Sequence, residues 1–187
     1  MHADVINTVS PTYAQEITEA EYGEGLHELL GERRSRLFGI LNGIDTDLYN
    51  PKTDPNIQFH YGLKTLDLKT KNKSALLQKF NLPVRDDVPL FGIVSRLTDQ
   101  KGFGLLMDAG EPLLENFDMQ LVIVGSGEGH FMTFFQELAQ KYPQKVAAYL
   151  GYDEVLAHAI YAGSDSVIIP SRFEPSGLTQ MEAMRYG

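Results

Sequence analysis

Four short aliphatic and β-branched runs recur along this chain: LFGIVS at 90 to 95, QLVIVG at 120 to 125, VAAYLG at 146 to 151 and SVIIP at 166 to 170. Helix-like stretches separate them at 102 to 115, 129 to 142 and 153 to 162. The runs lack polar alternation, the pattern expected of parallel strands covered on both faces, and the stretches between them are long enough for crossover helices. The order βαβαβαβ therefore predicts an α/β fold with a doubly wound, Rossmann-like parallel sheet. A last helix is expected to begin near Gly177.

The first third differs in character. DVINTVS, residues 4 to 10, predicts a strand that leads through Ser10 as a cap and Pro11 as first helical residue into a helix near 12 to 22. RLFGILNGIDTDLYNPKTDP then offers a strand ending in Asn42-Gly43, followed by a Pro- and Asp-rich loop of the kind that joins domains. The boundary falls close to Ile40, so residues 1–40 read as the end of one domain and 41–187 as a second, incomplete one.

In an open parallel sheet the ligand sits beyond the carboxyl ends of the strands. What it can be is limited by charge: 16 basic against 25 acidic residues give a net charge of −9, and no stretch is strongly basic. A nucleic-acid backbone or an anionic membrane is thereby disfavoured as partner, and any phosphate must be held by a few local cations. No apolar run approaches a membrane span, and MHADVINTVS lacks the regions of a signal peptide, so a cytoplasmic protein is expected. The absence of cysteine removes disulfide and thiol chemistry. His2, His27, His60, His130 and His158 show no metal-ligand spacing, so no metal site is expected.

Each strand end carries a candidate. After 90 to 95 come Arg96 and Lys101, which read as a guanidinium and ammonium pair able to neutralise a diphosphate without a metal, or equally as solvated surface cations. After 120 to 125 comes GSGEG, whose Gly125, Gly127 and Gly129 fit a tight βα turn better than a dinucleotide fingerprint. Tyr152 follows the third strand and could stack a base or merely cap a core edge.

SRFEPSGLTQME, residues 171 to 182, is the strongest of these signals. Pro175 biases Glu174 towards an extended backbone, off the strand end. Ser176 can cap, Gly177 lets a ligand come close, and the N–H groups of Leu178 and Thr179 form a helix-start anion site. Glu182 lies one turn further in, although acids near a helix start are favourable on electrostatic grounds alone.

Taken in order, VSPTYAQEI, GILNGIDTDLYNP, VSRLTDQKG and SRFEPSGLTQMEAMRYG closely resemble the bacterial glycogen synthases and plant starch synthases, retaining glucosyltransferases of the two-domain GT-B architecture. The resemblance spans nearly the whole chain and implies transfer of glucose from ADP-glucose to the non-reducing 4-hydroxyl of an α-1,4-glucan such as glycogen. It implies diphosphate contacts for Arg96 and Lys101, and backbone phosphate contacts for Leu178 and Thr179. Glu174 would hold donor glucose hydroxyls, Glu182 the ribose, Tyr152 the adenine and Asn42 the sugar. Many bacterial members carry Cys where this chain has Ser176. No cofactor is implied beyond the donor substrate.

Several family segments, among them an amino-terminal Lys-Thr-Gly-Gly-Leu loop and a catalytic-cleft histidine, do not occur in this sequence. The resemblance therefore leads us to expect a piece of a synthase whose partners include its own missing amino-terminal domain, and which is inactive in isolation. Two alternatives remain open at this point: a related retaining transferase using a UDP-sugar, and a nucleotide-binding module without turnover.

Overall fold

The computed structural model describes residues 3–187; Met1 and His2, the latter one of the five histidines, lie outside the described residues. The chain divides into two compact units, one reaching to Ile44 and including Glu174–Leu178, the other comprising Asp45–Phe173 and Thr179–Gly187.

In the first unit, strand β1 (Ile6–Thr8) pairs in parallel with β2 (Leu37–Gly39). Ser10 caps helix α1 (Pro11–Glu16) by accepting the Tyr13 N–H at 2.9 Å, with Pro11 at the first position, as the sequence predicts. The helix is shorter than the expected 12 to 22. After Glu16 the backbone bonds tighten to i→i−3, Thr18 to Gln15 and Glu19 to Glu16, while the Thr18 hydroxyl donates to the Gln15 carbonyl at 2.7 Å and competes for the same acceptor. A short helix α2 (His27–Glu32), without sequence signal, precedes β2. β2 ends at Gly39 rather than at Asn42-Gly43.

The second unit is built on a four-stranded parallel sheet of order β5-β4-β3-β6. Its strands are β3 (Leu90–Leu97), β4 (Gln120–Gly127), β5 (Val146–Tyr149) and β6 (Ser166–Val167). The chain lays down β3, steps outward through β4 and β5, then returns to the far side of β3, so the direction of winding reverses between β3 and β6. Helices α4 (Gly104–Asn116), α5 (Gly129–Lys141) and α6 (Glu154–Gly163) make the crossovers, and α7 (Leu178–Tyr186) follows β6.

Period-two alternation divides the core. Ile93, Leu97, Leu121 and Ile123 pack on one face against Phe103, Leu114, Phe131 and Phe135. On the other face Leu90, Val122 and Val124 meet Leu76, Leu77, Leu156 and Ile160. Both faces are covered, which is the doubly wound arrangement predicted from the uninterrupted apolar runs. β6 is shorter than SVIIP suggests: only Ser166 and Val167 pair with β3, with one further bond from the Ile168 N–H to the Gly92 carbonyl at 2.9 Å.

Helix α3 (Leu68–Lys79), which covers that second face, was not expected. Its sequence, LKTKNKSALLQK, reads as solvated because its buried side includes Asn72 and Lys73 beside Leu76 and Leu77. Both polar groups are satisfied. Asn72 exchanges two hydrogen bonds with the Phe59 backbone, and Lys73 donates to the Val88 carbonyl and the Asp165 carboxylate at 2.7 Å each.

Candidate functional site

A cavity of about 260 Å³ opens at the carboxyl ends of β3 and β4. Val94, Ser95 and Arg96 from β3, and Val124, Gly125 and Ser126 from β4, form its floor. Gly151 to Glu154 and one face of α6 form a wall, and Thr179 and Glu182 of α7 reach it one helical turn apart. Position follows from topology: parallel strands end together, and the reversal of winding leaves room above them.

Four of the residues singled out in the sequence meet here: Arg96, Tyr152, Thr179 and Glu182. Arg96 lies within β3, paired with Ser126, because the strand continues two residues past the expected end. Tyr152 is 84% exposed at the rim, and Asp153 beside it caps α6 by accepting the Leu156 N–H at 2.8 Å. Lys101 does not line the cavity. It sits on the 3-10 turn Asp99–Lys101 after β3, a turn joined to the segment after β6 by the Arg172 N–H donating to the Gln100 carbonyl at 3.0 Å.

The remaining predicted residues, Asn42, Glu174, Ser176, Gly177 and Leu178, belong to the first unit. Helix α7 begins at Leu178 behind Gly177, whose φ of +70° suits a residue without Cβ. The capping role expected of Ser176 is not realised, since its buried hydroxyl has no hydrogen-bond partner among the described residues. Gly177 occupies the cap position and places Ser176 one residue too far out.

Two of the three glycines of GSGEG lie in a strand and not in the turn expected of them, while Gly129 opens α5 after it. Gly125 and Gly127 lie in β4 with φ outside the left-handed region, paired with Ser95 and Leu97. A Cβ at either position would overlap the Ser95 or Leu97 carbonyl oxygen. Their absence of side chain lets β3 and β4 stay paired to their ends, which brings Arg96 beside Ser126.

Sequence reasoning missed an aromatic and polar cluster of which Tyr49, His158 and Tyr161 line the cavity. Tyr49 stacks on His158 with ring centroids 4.9 Å apart and an interplanar angle of 16°. His158 Nδ1 lies 2.7 Å from the Asp54 carboxylate, which also accepts the Tyr186 hydroxyl at 2.5 Å. Tyr161 donates to Glu182 Oε2 at 2.9 Å. Burial and the nearby Glu182 charge push the Tyr49 phenol up to about 12. Burial first, then the same carboxylate, push Tyr161 up as well. A hint was present in the 158 and 161 spacing on α6 and the 179, 182 and 186 spacing on α7, which places each set on one helix face.

Asp99, Glu128 and His130 bring their ligand atoms within 4.8 Å of one another, all three exposed. Exposed groups of this kind approach one another without an ion, and nothing else at this place points to one. Among the described residues, no helix is long and apolar enough to cross a membrane.

The chain is 48% identical over 187 residues to a glycogen synthase of Streptococcus mutans and 51% identical over 185 residues to one of Geobacillus stearothermophilus. It covers 100% and 99% of itself in these matches but only 39% and 38% of the relatives, so it spans about two fifths of their length. The solved catalytic domain of starch synthase IV from Arabidopsis thaliana, bound to ADP and acarbose, superposes with a TM-score of 0.91 at 45% identity, over 98% of this chain and 38% of that one. Residues 1–32 match the starch synthase catalytic domain. Residues 75–187, more than half of the chain, match the family described as glycosyl transferases group 1, and the chain belongs to that family.

Proposed function

We propose that this chain is the nucleotide-sugar-binding part of a glycogen or starch synthase, which transfers glucose from ADP-glucose to the non-reducing end of an α-1,4-glucan with retention of configuration. The observation that carries this reading is the convergence of Arg96, Tyr152, Thr179 and Glu182 on one cavity at the strand ends. The similarity to a starch synthase bound to ADP and acarbose supports it.

In this reading Arg96 and Lys101 neutralise the diphosphate as glucose departs, a task that needs no metal or further cofactor. The N–H groups of Leu178 and Thr179, adjoining Ser176 and Gly177, bind phosphate oxygens at the helix start. Glu182 accepts the ribose hydroxyls, Tyr152 stacks the adenine, Glu174 holds donor glucose hydroxyls and Asn42 contacts the sugar. The reaction is expected in the cytoplasm, where the nucleotide sugar and the glucan meet.

Calorimetric titration of the purified chain with ADP, UDP and GDP tests this. Saturable binding with ADP preferred is the expected result. Preference for UDP would redirect the assignment to a transferase using another donor, and no binding of any nucleotide would overturn it. Incorporation of labelled glucose into glycogen by the chain extended at both ends tests the transfer itself.

A further inference from the structure

Glu182 lines the cavity, and its carboxylate is held by the side chain of a buried tyrosine. Tyr161, 3% exposed, donates its hydroxyl to Glu182 Oε2 at 2.9 Å, and Thr179 lines the cavity one turn before Glu182 on the same helix. The ring cannot drift. Its backbone carbonyl accepts Lys69 Nζ at 3.0 Å, and its face packs 6.0 Å from Tyr186 and 6.5 Å from His158. Tyr49 borders the same carboxylate from the loop before α3, itself stacked on His158.

A phenol has one proton to give, and Tyr161 gives it to Glu182. An ionised carboxylate has two oxygens and about four acceptor sites, and one phenol occupies only one of them. The bond to Tyr161 therefore restrains the carboxylate while leaving acceptor capacity on a group that lines the cavity. Two neighbouring hydroxyls on one ring present two donors at a fixed separation, and a carboxylate already restrained loses less freedom on receiving such a pair.

We propose that Tyr161, with Tyr49 beside it, is a positioning residue that presets the Glu182 carboxylate for the vicinal hydroxyls of a nucleotide ribose. The inference rests on the nucleotide reading above and extends it to two residues that need not touch the ligand. A plain structural role, tying α6 to α7, would also use the same hydrogen bond, so the test must separate the two.

The test titrates the wild-type chain, Tyr161→Phe and Tyr49→Phe with ADP and with 2′,3′-dideoxy-ADP, which keeps the base and diphosphate but lacks the hydroxyl pair. Removing the Tyr161 hydroxyl is expected to weaken ADP by about threefold to tenfold, the worth of one hydrogen bond, and to leave dideoxy-ADP within about twofold. Tyr49→Phe is expected to show the same selectivity to a smaller degree, and decides the matter should Tyr161→Phe fail to fold. Equal losses for both ligands, or no loss for ADP, would overturn the inference while the nucleotide reading stands. Failure of the wild-type chain to bind ADP would overturn both.

Discussion

His158 Nδ1 and Asp54 Oδ2 lie 2.7 Å apart across 104 positions of sequence, with side-chain exposures of 1% and 0%. Burial alone would raise the Asp54 carboxyl, but hydrogen bonds from Tyr186, the Asn56 N–H and His158 outweigh it and hold the pKa below the ordinary carboxylate value. The ionised carboxylate makes Nδ1 the donor and joins the loop before α3 to α6 and α7.

Because the folded pKa lies below the unfolded one, this group adds stability that is fully present above the unfolded value, near 3.9, and is lost as pH falls through the folded value. Asp54→Asn is expected to destabilise the chain by roughly 1.5–3 kcal/mol at neutral pH. The gap to wild type should narrow below about pH 4 as the native carboxylate takes up its proton. Urea unfolding at pH 7, 5 and 3 checks this; a gap that is constant down to pH 3 would contradict the assignment of charge.

Lys73 supplies a second test of the buried polar framework. Its ammonium is 5% exposed and bonded to the Val88 carbonyl and to Asp165, which in turn accepts the Leu90 N–H at 2.7 Å. Lys73→Met keeps the stem but strands the Val88 carbonyl, and a loss of about 1–3 kcal/mol in unfolding free energy is expected. Asp165 is 44% exposed and remains partly solvated without its partner, which keeps the loss moderate.

These two clusters also mark where the sequence stops being legible. The strands, their parallel order and the helices α4 to α6 follow from apolar runs, since both faces of the sheet demand greasy residues. Helix α3 does not, because half of what it buries is amide and ammonium, whose partners Phe59, Val88 and Asp165 are distant in sequence. The site divides in the same way. Arg96, Tyr152, Thr179 and Glu182 are readable from strand ends and a helix start, whereas Tyr49, Asp54, His158 and Tyr161 act through contacts that only folding creates.

Arg96 and Lys101 differ in position, one on β3 and one on the following turn, and neither is part of the apolar core. Arg96→Ala and Lys101→Ala should each lower ADP affinity by roughly tenfold to a hundredfold, the worth of a charge-assisted contact of ~1.5–3 kcal/mol, with little loss of fold. Retention of wild-type affinity at both low and high salt would remove the residue concerned from the phosphate site.

The two acids eight positions apart are expected to divide their work. Glu182→Gln should weaken ADP binding, since the amide offers one acceptor oxygen where the carboxylate offers two. Glu174→Gln should leave ADP binding nearly intact and reduce glucose transfer by the extended chain, because the proposed contact is to the sugar in the reacting state. Matching effects of both substitutions on binding and on transfer would remove this division.

Tyr152 is the proposed contact for the base. It stands at the cavity rim with 84% of its surface open, and its side chain has no part in the core, so truncation should cost little stability. If a purine lies against the ring, the contact is worth about 1–3 kcal/mol, hence roughly fivefold to a hundredfold in affinity. Stacking requires the aromatic face and not the hydroxyl, so Tyr152→Phe should bind ADP as wild type does while Tyr152→Ala should not. Inorganic pyrophosphate, which has no base, provides the control: its affinity depends on the cations and the α7 N-terminus and should be the same in all three proteins. Loss of pyrophosphate binding in Tyr152→Ala would mean that the ring supports the loop rather than the base, and equal ADP affinity in all three would place the base elsewhere in the cavity.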